Sequence, residues 1–288
     1  MKTTLISVAE LAALKPDDVL IVDCRYDQFD KEKGERDYRA EHIPGAVFAS
    51  LDHDLADLSR IPLGLGRHPL PSEEAFSASL GRWGWRPGLQ VVCYDAGNGA
   101  LAAARLWWLL RLTGAKEVAV LDGGFAAWKA AGKPVEQTIP QRRATQISLH
   151  YDASRYLIDH AAAGHLKQEL LLDARATPRY RGEVEPLDRA AGHVPGAANR
   201  PFSENLQADG HFKPAATLKQ EFLAVLGDHA PDQIVHMCGS GVTACHNLLA
   251  MEHAGLSGSR LYAPSWSGWV SDPSRPVETS AGATGSSS

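Results

Sequence analysis

The sequence predicts an α/β protein made of two similar halves, each with a mainly parallel sheet flanked by helices. Three observations lead to this prediction. Four sequence blocks recur in the same order, short apolar runs alternate with helical patterns, and 288 residues suit two domains of ordinary size. An apolar fraction of 44% and a charged fraction of 22% are typical of a globular chain and exclude a disordered, collagen-like or coiled-coil one.

The internal repeat spans nearly the whole chain and sets the predicted domain boundaries. The matching pairs are residues 21–25 and 171–175, 42–46 and 193–197, 91–95 and 234–238, and Trp128 with 134–136 against Trp269 with 276–278. We interpret this as one domain written twice. The predicted parts are a first domain over 1–138, a linker over 139–152, a second domain over 153–279 and a disordered tail over 280–288.

The predicted elements alternate between strands and helices in both halves. The strand-like runs are apolar without alternation, as expected for strands buried on both faces. Each half also has one long helical pattern that ends at a glycine. The strand-like runs are residues 19–22, 90–94, 118–121, 170–172 and 233–236, and the helical patterns are 100–112, ending at Gly114, and 243–254, ending at Gly255.

The segment 238–245 is the one place that predicts chemistry. Cys238 directly follows a strand, at the edge of an open α/β sheet where ligands bind. Gly239 and Gly241 let the backbone curl around it, and Val242 and Thr243 lead into a helix. Converging amides and the helix N-terminus favour a thiolate, and the same cradle would hold a persulfide.

Each of the four cysteines could also have a purely structural role. Cys238 as a small buried hydrophobe is the alternative to a nucleophile. Cys245, Cys24 and Cys93 lie in helix and strand patterns, which predicts packing roles. A Cys-x5-Arg phosphatase would need an arginine where Ala244 stands, and the loop has no cation to grip phosphate. Phosphatase activity is therefore disfavoured.

Several motifs of the sequence together resemble those of a known family. Asp-x-Arg after the first strand, His-[Ile/Val]-Pro-Gly-Ala in each half, the loop 238–243 and Trp269 are together similar to the tandem-rhodanese sulfurtransferases. The resemblance implies two tandem rhodanese-like domains, of which the second is catalytic. In the first half, Asp95 occupies the position that corresponds to Cys238 in the repeat. A carboxylate cannot carry sulfane sulfur.

The resemblance also implies roles for residues of both halves. Ser240, His68 and Asp52 match a relay that reaches across the domain interface. Arg179 and Arg189 match arginines that hold a substrate carboxylate, with Gly239, Gly241, Val242 and Thr243 forming the loop around the sulfur. The alternatives are a solvated loop histidine for His68 and surface salt bridges for the two arginines.

The implied reaction moves sulfane sulfur from 3-mercaptopyruvate to a thiol, cyanide or a thioredoxin-like acceptor through a Cys238 persulfide. The loop lacks the basic residues that suit dianionic thiosulfate, so thiosulfate is the second candidate donor. A non-catalytic partner-binding module is the third alternative. No metal or organic cofactor is expected, because no ligand cluster is visible in the sequence.

Charge and hydropathy restrict the partners. A net charge of −5 without a basic stripe argues against nucleic acid. The most apolar stretch, 101–112, is too short to span a bilayer and contains two arginines, so no membrane partner is expected. The first 18 residues resemble a signal peptide only weakly and are interpreted as the start of the fold. We therefore expect a cytoplasmic protein with reduced thiols.

Overall fold

The computed structural model describes residues 1–280, in which two five-stranded sheets follow one another along the chain. Their strand orders are β1-β5-β4-β2-β3 and β6-β10-β9-β7-β8, and every neighbouring pair of strands is parallel. The strands are β1 Leu5–Ile6, β2 Val19–Asp23, β3 Val47–Phe48, β4 Gln90–Tyr94, β5 Val118–Leu121, β6 Tyr156–Leu157, β7 Leu170–Asp173, β8 Ala198–Asn199, β9 Ile234–Met237 and β10 Arg260–Tyr262.

Helices connect the strands and cover the faces of both sheets. They are α1 Val8–Ala12, α2 Lys33–Ala40, α3 Glu73–Arg82, α4 Ala102–Leu112, α5 Gly124–Ala130, α6 His160–Gly164, α7 Thr177–Arg181, α8 Ala215–Leu226, α9 Ala244–His253 and α10 Ser265–Trp269. Because parallel neighbours need a crossover connection, strands and helices alternate. The predicted fold class is therefore confirmed.

The strands missed by the sequence patterns are mostly the shortest ones. The strands β1, β3, β6 and β8 have two residues each, too few to show a period. The strand β10, of three residues, was also missed. The long central strands β2, β4 and β5 agree with the predicted runs to within one residue, and α4 begins two residues later than predicted.

A buried ion pair recurs at the same place in both halves. Arg25 donates hydrogen bonds of 2.7–3.1 Å to Asp23, and Arg175 donates bonds of 2.6–3.1 Å to Asp173. Each guanidinium also lies over an aromatic ring. That of Arg25 is 4.4 Å from the centre of Phe125, and that of Arg175 is 4.5 Å from the centre of Trp266. The repeat seen in the sequence is thus a repeat of structure.

The two halves pack against each other through α4 and α9. One cluster of buried apolar side chains runs through both halves, and Trp107 and Trp108 of α4 are almost fully buried in it. Residues 137–152 contain no helix or strand and are tied to the first half, for example by the Thr145 amide, which donates to Gly81 at 3.0 Å. This packing brings loops of the first half to the carboxyl edge of the second sheet.

Two further points concern the ends of the chain and the membrane. Apart from Ser280, the predicted disordered tail lies outside the described residues. Within residues 1–280, no helix is both long enough and apolar enough to cross a bilayer.

Candidate active site

Cys238 lies directly after β9 and is 2% exposed, at the base of a cavity of about 320 Å³. The cavity lies between the two halves of the chain. Its walls include Tyr26, Phe29, Arg67 and His68 from the first half, and Arg179 and Ser240 from the second. A group that reaches the Cys238 sulfur must therefore enter a pocket to which both domains contribute.

The start of α10 fixes the backbone of the cysteine loop. The amides of Trp266 and Ser267 donate to the carbonyl oxygens of Cys238 and Gly239, both at 2.9 Å. The Ser265 hydroxyl accepts the Cys238 amide at 3.1 Å. Ser265 holds φ at +53°, a left-handed conformation that is unfavourable for a residue with a Cβ. The loop is thus held in place by a strained residue directly behind the cysteine.

The amides of the loop are left without partners in the protein. Within the described part of the chain, none of the five backbone N–H groups from Gly239 to Thr243 donates a hydrogen bond to another residue. Successive amides of this kind, next to the N-terminus of α9, can bind an anion. The predicted cradle is therefore open to a sulfur anion or a substrate oxygen.

In the first half, amides of the corresponding loop have a side-chain partner. Asp95 follows β4 just as Cys238 follows β9, and it is 3% exposed. Its Oδ1 accepts the amides of Gly97 at 3.2 Å and Gly99 at 2.9 Å, and its Oδ2 accepts that of Leu101 at 3.4 Å. Burial raises the pKa of Asp95, and these hydrogen bonds oppose that rise. The side chain of Asp95 therefore fills the loop from within.

The three residues of the predicted relay lie in contact across the domain interface. His68 Nδ1 is 2.8 Å from Ser240 Oγ, and His68 Nε2 is 3.4 Å from Asp52 Oδ1. The second contact is long, and Asp52 Oδ1 accepts no well-aligned hydrogen bond from the described residues. Asp52 Oδ2 lies 2.8 Å from the ammonium of Lys31.

The protonation of the relay follows from its surroundings. The contact with His68 lowers the pKa of Asp52 to about 2, against the effect of burial, so Asp52 is an anion at neutral pH. Burial lowers the pKa of His68, although Asp52 works in the other direction. The ring is therefore neutral, with its proton on Nε2 facing the carboxylate and a lone pair on Nδ1 facing the Ser240 hydroxyl.

Two guanidinium groups lie beside Gly239. A Cβ added at Gly239 would lie 2.9 Å from Arg67 Nη2 and 3.6 Å from both terminal nitrogens of Arg179. Arg179 donates to Glu185 at 2.7 Å and to Asp188 at 3.2 Å, and Arg67 pairs with Asp188. Both arginines line the cavity, so two cations with planar donor sets face the space above Cys238.

Arg67 was not among the predicted site residues, and Arg189 lies elsewhere. Arg189 is exposed, does not line the cavity and contacts the Ser271 carbonyl oxygen at 3.5 Å. Asp188, the residue before it, points at the two arginines instead. The one signal that could have found Arg67 is its position directly before His68.

The remaining cysteines and histidines named in the sequence analysis are held in packed positions. Cys24, Cys93 and Cys245 are fully buried, and burial raises the pKa of Cys245 to about 12. His42 and His193 each hydrogen-bond a backbone carbonyl oxygen through Nδ1, at 2.7 and 2.8 Å. No group of acidic, histidine and cysteine side chains in residues 1–280 has the arrangement of a metal site.

Comparison with known proteins gives the family. The model of the rhodanese-like domain matches residues 7–131 and 156–272. The chain is 48% identical to a Pseudomonas aeruginosa protein named "Probable 3-mercaptopyruvate sulfurtransferase", over 96% of this chain and 98% of that one. It is 41% identical to a Mycobacterium tuberculosis protein named "Putative thiosulfate sulfurtransferase SseB", over 95% of this chain and 96% of that one.

A solved structure gives the same result. The 3-mercaptopyruvate sulfurtransferase from Leishmania major superposes with a TM-score of 0.81 at 32% identity, over 94% of this chain and 76% of that one. A two-domain α/β protein with a cradled cysteine between its halves is the class that the fold and the site define. The chain belongs to the rhodanese family. It is a sulfurtransferase of the tandem-domain type, so the enzyme prediction is confirmed.

Proposed function

We propose that this enzyme takes sulfane sulfur from 3-mercaptopyruvate and carries it as a persulfide on Cys238. The observation that carries the proposal is the cavity itself. It places an otherwise unpartnered amide loop, a Ser240–His68 hydrogen bond and two guanidinium groups around one cysteine. The similarity to proteins named for this donor supports it further.

In the first half-reaction the Cys238 thiolate attacks the sulfur of the substrate. A bond forms between the two sulfurs and the carbon–sulfur bond breaks, with its electron pair passing to the keto group as pyruvate enolate. The enolate carbon takes a proton from the Ser240 hydroxyl. Ser240, whose hydroxyl faces His68 Nδ1, then regains a proton from the new persulfide, which still carries the proton of the substrate thiol. The loop amides stabilise the persulfide anion that remains.

The two arginines would hold the substrate. A guanidinium presents a planar fork that matches a carboxylate bidentately, which an ammonium cannot do. Arg179 and Arg67 are 18% and 32% exposed, so both can still reach a ligand while their buried carboxylate partners orient them. We assign them to the carboxylate and keto oxygens of the donor.

Thiosulfate is the second candidate donor, and one observation favours it. The loop from Gly239 to Thr243 has no cation of its own, but Arg67 and Arg179 bring two guanidinium groups to the same place, both of which also pair with Asp188. A dianion could be held there as well. The rates at which the two donors load Cys238 with sulfur distinguish the two candidates.

The second half-reaction would regenerate the free thiolate of Cys238. A thiolate of a small thiol or of a thioredoxin-like protein, or cyanide, attacks the outer sulfur and releases the Cys238 thiolate. A cytoplasmic location is part of the proposal, because a persulfide cycle needs thiols that are kept reduced. The four cysteines of the chain are free, in agreement with that setting.

Mass spectrometry of the Cys238 peptide tests the proposal. The protein is incubated separately with 3-mercaptopyruvate and with thiosulfate, and Cys238→Ser serves as the control that cannot form a persulfide. A gain of one sulfur that is faster with 3-mercaptopyruvate supports the leading proposal. A faster gain with thiosulfate selects the second candidate, and no gain with either donor contradicts both.

A further inference from the structure

Arg105 is a fully buried cation that the proposed reaction does not use. It lies in α4 of the first half and is 0% exposed. Its guanidinium donates to three backbone carbonyl oxygens, those of Gly241 at 3.0 Å, His68 at 3.2 Å and Leu55 at 3.4 Å. Among the described residues, no carboxylate lies within ion-pair distance of it.

The lack of a carboxylate distinguishes Arg105 from other buried arginines of this chain. Arg25, Arg175 and Arg200 are each paired with an acidic side chain at 2.7 Å or less. A buried charge without a counter-ion is costly and persists only where hydrogen bonds hold it. The nearby thiol of Cys245 does not balance Arg105, because burial keeps it protonated. The role of Arg105 is therefore sought in the groups that its guanidinium contacts.

The three carbonyl groups belong to the two loops that form the site. Leu55 and His68 bound the segment that carries the relay histidine, and Gly241 lies in the cysteine loop of the other half. A peptide unit is planar and trans, so its C=O and N–H point in opposite directions. When Arg105 holds the Gly241 carbonyl on its own side, the amide of Val242 must face the other side.

We propose that Arg105 is a positioning residue that holds the Gly241–Val242 peptide so that its amide faces the pocket containing Cys238. Gly241 has φ at +75°, and glycine allows such a peptide to turn over with little steric cost. Val242 lines the cavity, and its amide donates to no other described residue. The same guanidinium holds the His68 carbonyl, so it sets the loop and the relay relative to each other.

This inference rests on the proposed function, but one of its readouts does not. The rate at which iodoacetamide alkylates Cys238 depends on how the loop stabilises a sulfur anion, and it needs no sulfur donor. We would compare Arg105→Lys and Arg105→Met with Arg111→Met. Arg111 lies on the same helix, and its guanidinium donates to Ala115 at 3.4 Å, away from the site. Melting temperature is measured for each variant.

The expected result is a loss of reactivity without a loss of binding. In Arg105→Met, alkylation at pH 7 and kcat with 3-mercaptopyruvate should fall about tenfold or more, the effect of losing one charge-assisted hydrogen bond, while KM stays within about threefold. Arg105→Lys should recover only part of this, because an ammonium keeps the charge but not the planar fork. Arg111→Met should alkylate and turn over as the parent does.

Two outcomes would overturn the inference. One is an Arg105→Met variant that alkylates and turns over like the parent. Another is an Arg105→Lys variant with full activity, since charge alone would then suffice. If Arg105→Met does not fold, Arg105→Lys decides, and a folded lysine variant with parental alkylation contradicts positioning. A parent that accepts no sulfur contradicts the proposed function only, because the alkylation comparison remains valid.

Discussion

His68 Nδ1 lies 2.8 Å from Ser240 Oγ, although 172 residues separate the two along the chain. The histidine comes from the half that does not contain Cys238. The proton path of the proposed reaction therefore depends on how the two domains are packed, and not on the second domain alone. Neither half, taken by itself, contains the complete site.

The first prediction concerns this relay. His68→Gln and Ser240→Ala should each lower kcat with 3-mercaptopyruvate by about 100-fold, the lower end of what general acid–base catalysis contributes. The double variant should be little worse than either single one, because the two groups act as a unit. Steady-state kinetics of the three variants measures this. Additive losses would show that the contact at 2.8 Å does not serve one proton path.

The second prediction concerns the thiols. Cys238→Ser should abolish transfer from every donor, because a hydroxyl group cannot form a persulfide. Cys245→Ser should keep most of the activity, since that thiol is fully buried and its pKa is raised to about 12. Turnover with 3-mercaptopyruvate and with thiosulfate is measured for both. If Cys245→Ser lost its activity but kept the melting temperature of the parent, the assignment of Cys238 as the nucleophile would be contradicted.

The third prediction concerns substrate binding. Arg179→Lys and Arg67→Lys should lower kcat/KM with 3-mercaptopyruvate by about one to two decades, because each loses a charge-assisted hydrogen bond of roughly 1.5–3 kcal/mol that a lysine does not reproduce. Arg189→Lys is the matched control and should change little, since its guanidinium lies outside the cavity. An Arg189→Lys variant as impaired as Arg179→Lys would contradict the assignment of the two arginines.

The fourth prediction concerns the loop of the first half. Asp95→Ala leaves three amides without their acceptor and should lower the free energy of unfolding by about 1–3 kcal/mol. Asp95→Asn keeps a carbonyl oxygen as an acceptor and should cost less. Denaturant titration measures both variants. If Asp95→Ala were as stable as the parent, the carboxyl group would not be holding this loop.

The fifth prediction concerns stability in acid. Burial lowers the pKa of His236 to about 3, from 6.5 in the unfolded chain, and neither of its ring nitrogens has a partner among the described residues. Between these two pH values, His236 therefore binds a proton in the unfolded state but not in the folded state. The contribution of His236 to the free energy of unfolding is therefore fully present above pH 6.5 and is lost as the pH drops toward 3. At pH 5 the loss is about 2 kcal/mol.

The control for this prediction is His236→Leu, which removes the titrating group from an apolar site. Denaturant unfolding of the two proteins is compared between pH 7.5 and 5. The variant should lose less stability over that range, and the remaining loss would come from groups such as His246, whose pKa is lowered to about 4 by burial. Equal slopes for parent and variant would show that His236 does not contribute.

Patterns along the chain predicted the fold and the cysteine loop because both depend on local order. A strand followed by Cys238, two glycines and a helix is visible in a dozen residues. The neighbourhood of Arg67 and Arg179 is not, because it is created where the two domains meet. Arg67 pairs with Asp188 across 121 residues, and no periodicity connects them. The two-residue strands were missed for a different reason, since a strand of that length has no pattern.

The filled loop lets the first half keep the shape of the second without its sulfur chemistry. A second thiol at this place would be a second site of oxidation and a competitor for donor. The carboxyl group of Asp95 instead binds amides of its own loop without redox chemistry. The first half therefore serves the proposed site as a wall and through His68, and all transferred sulfur would pass through a single carrier.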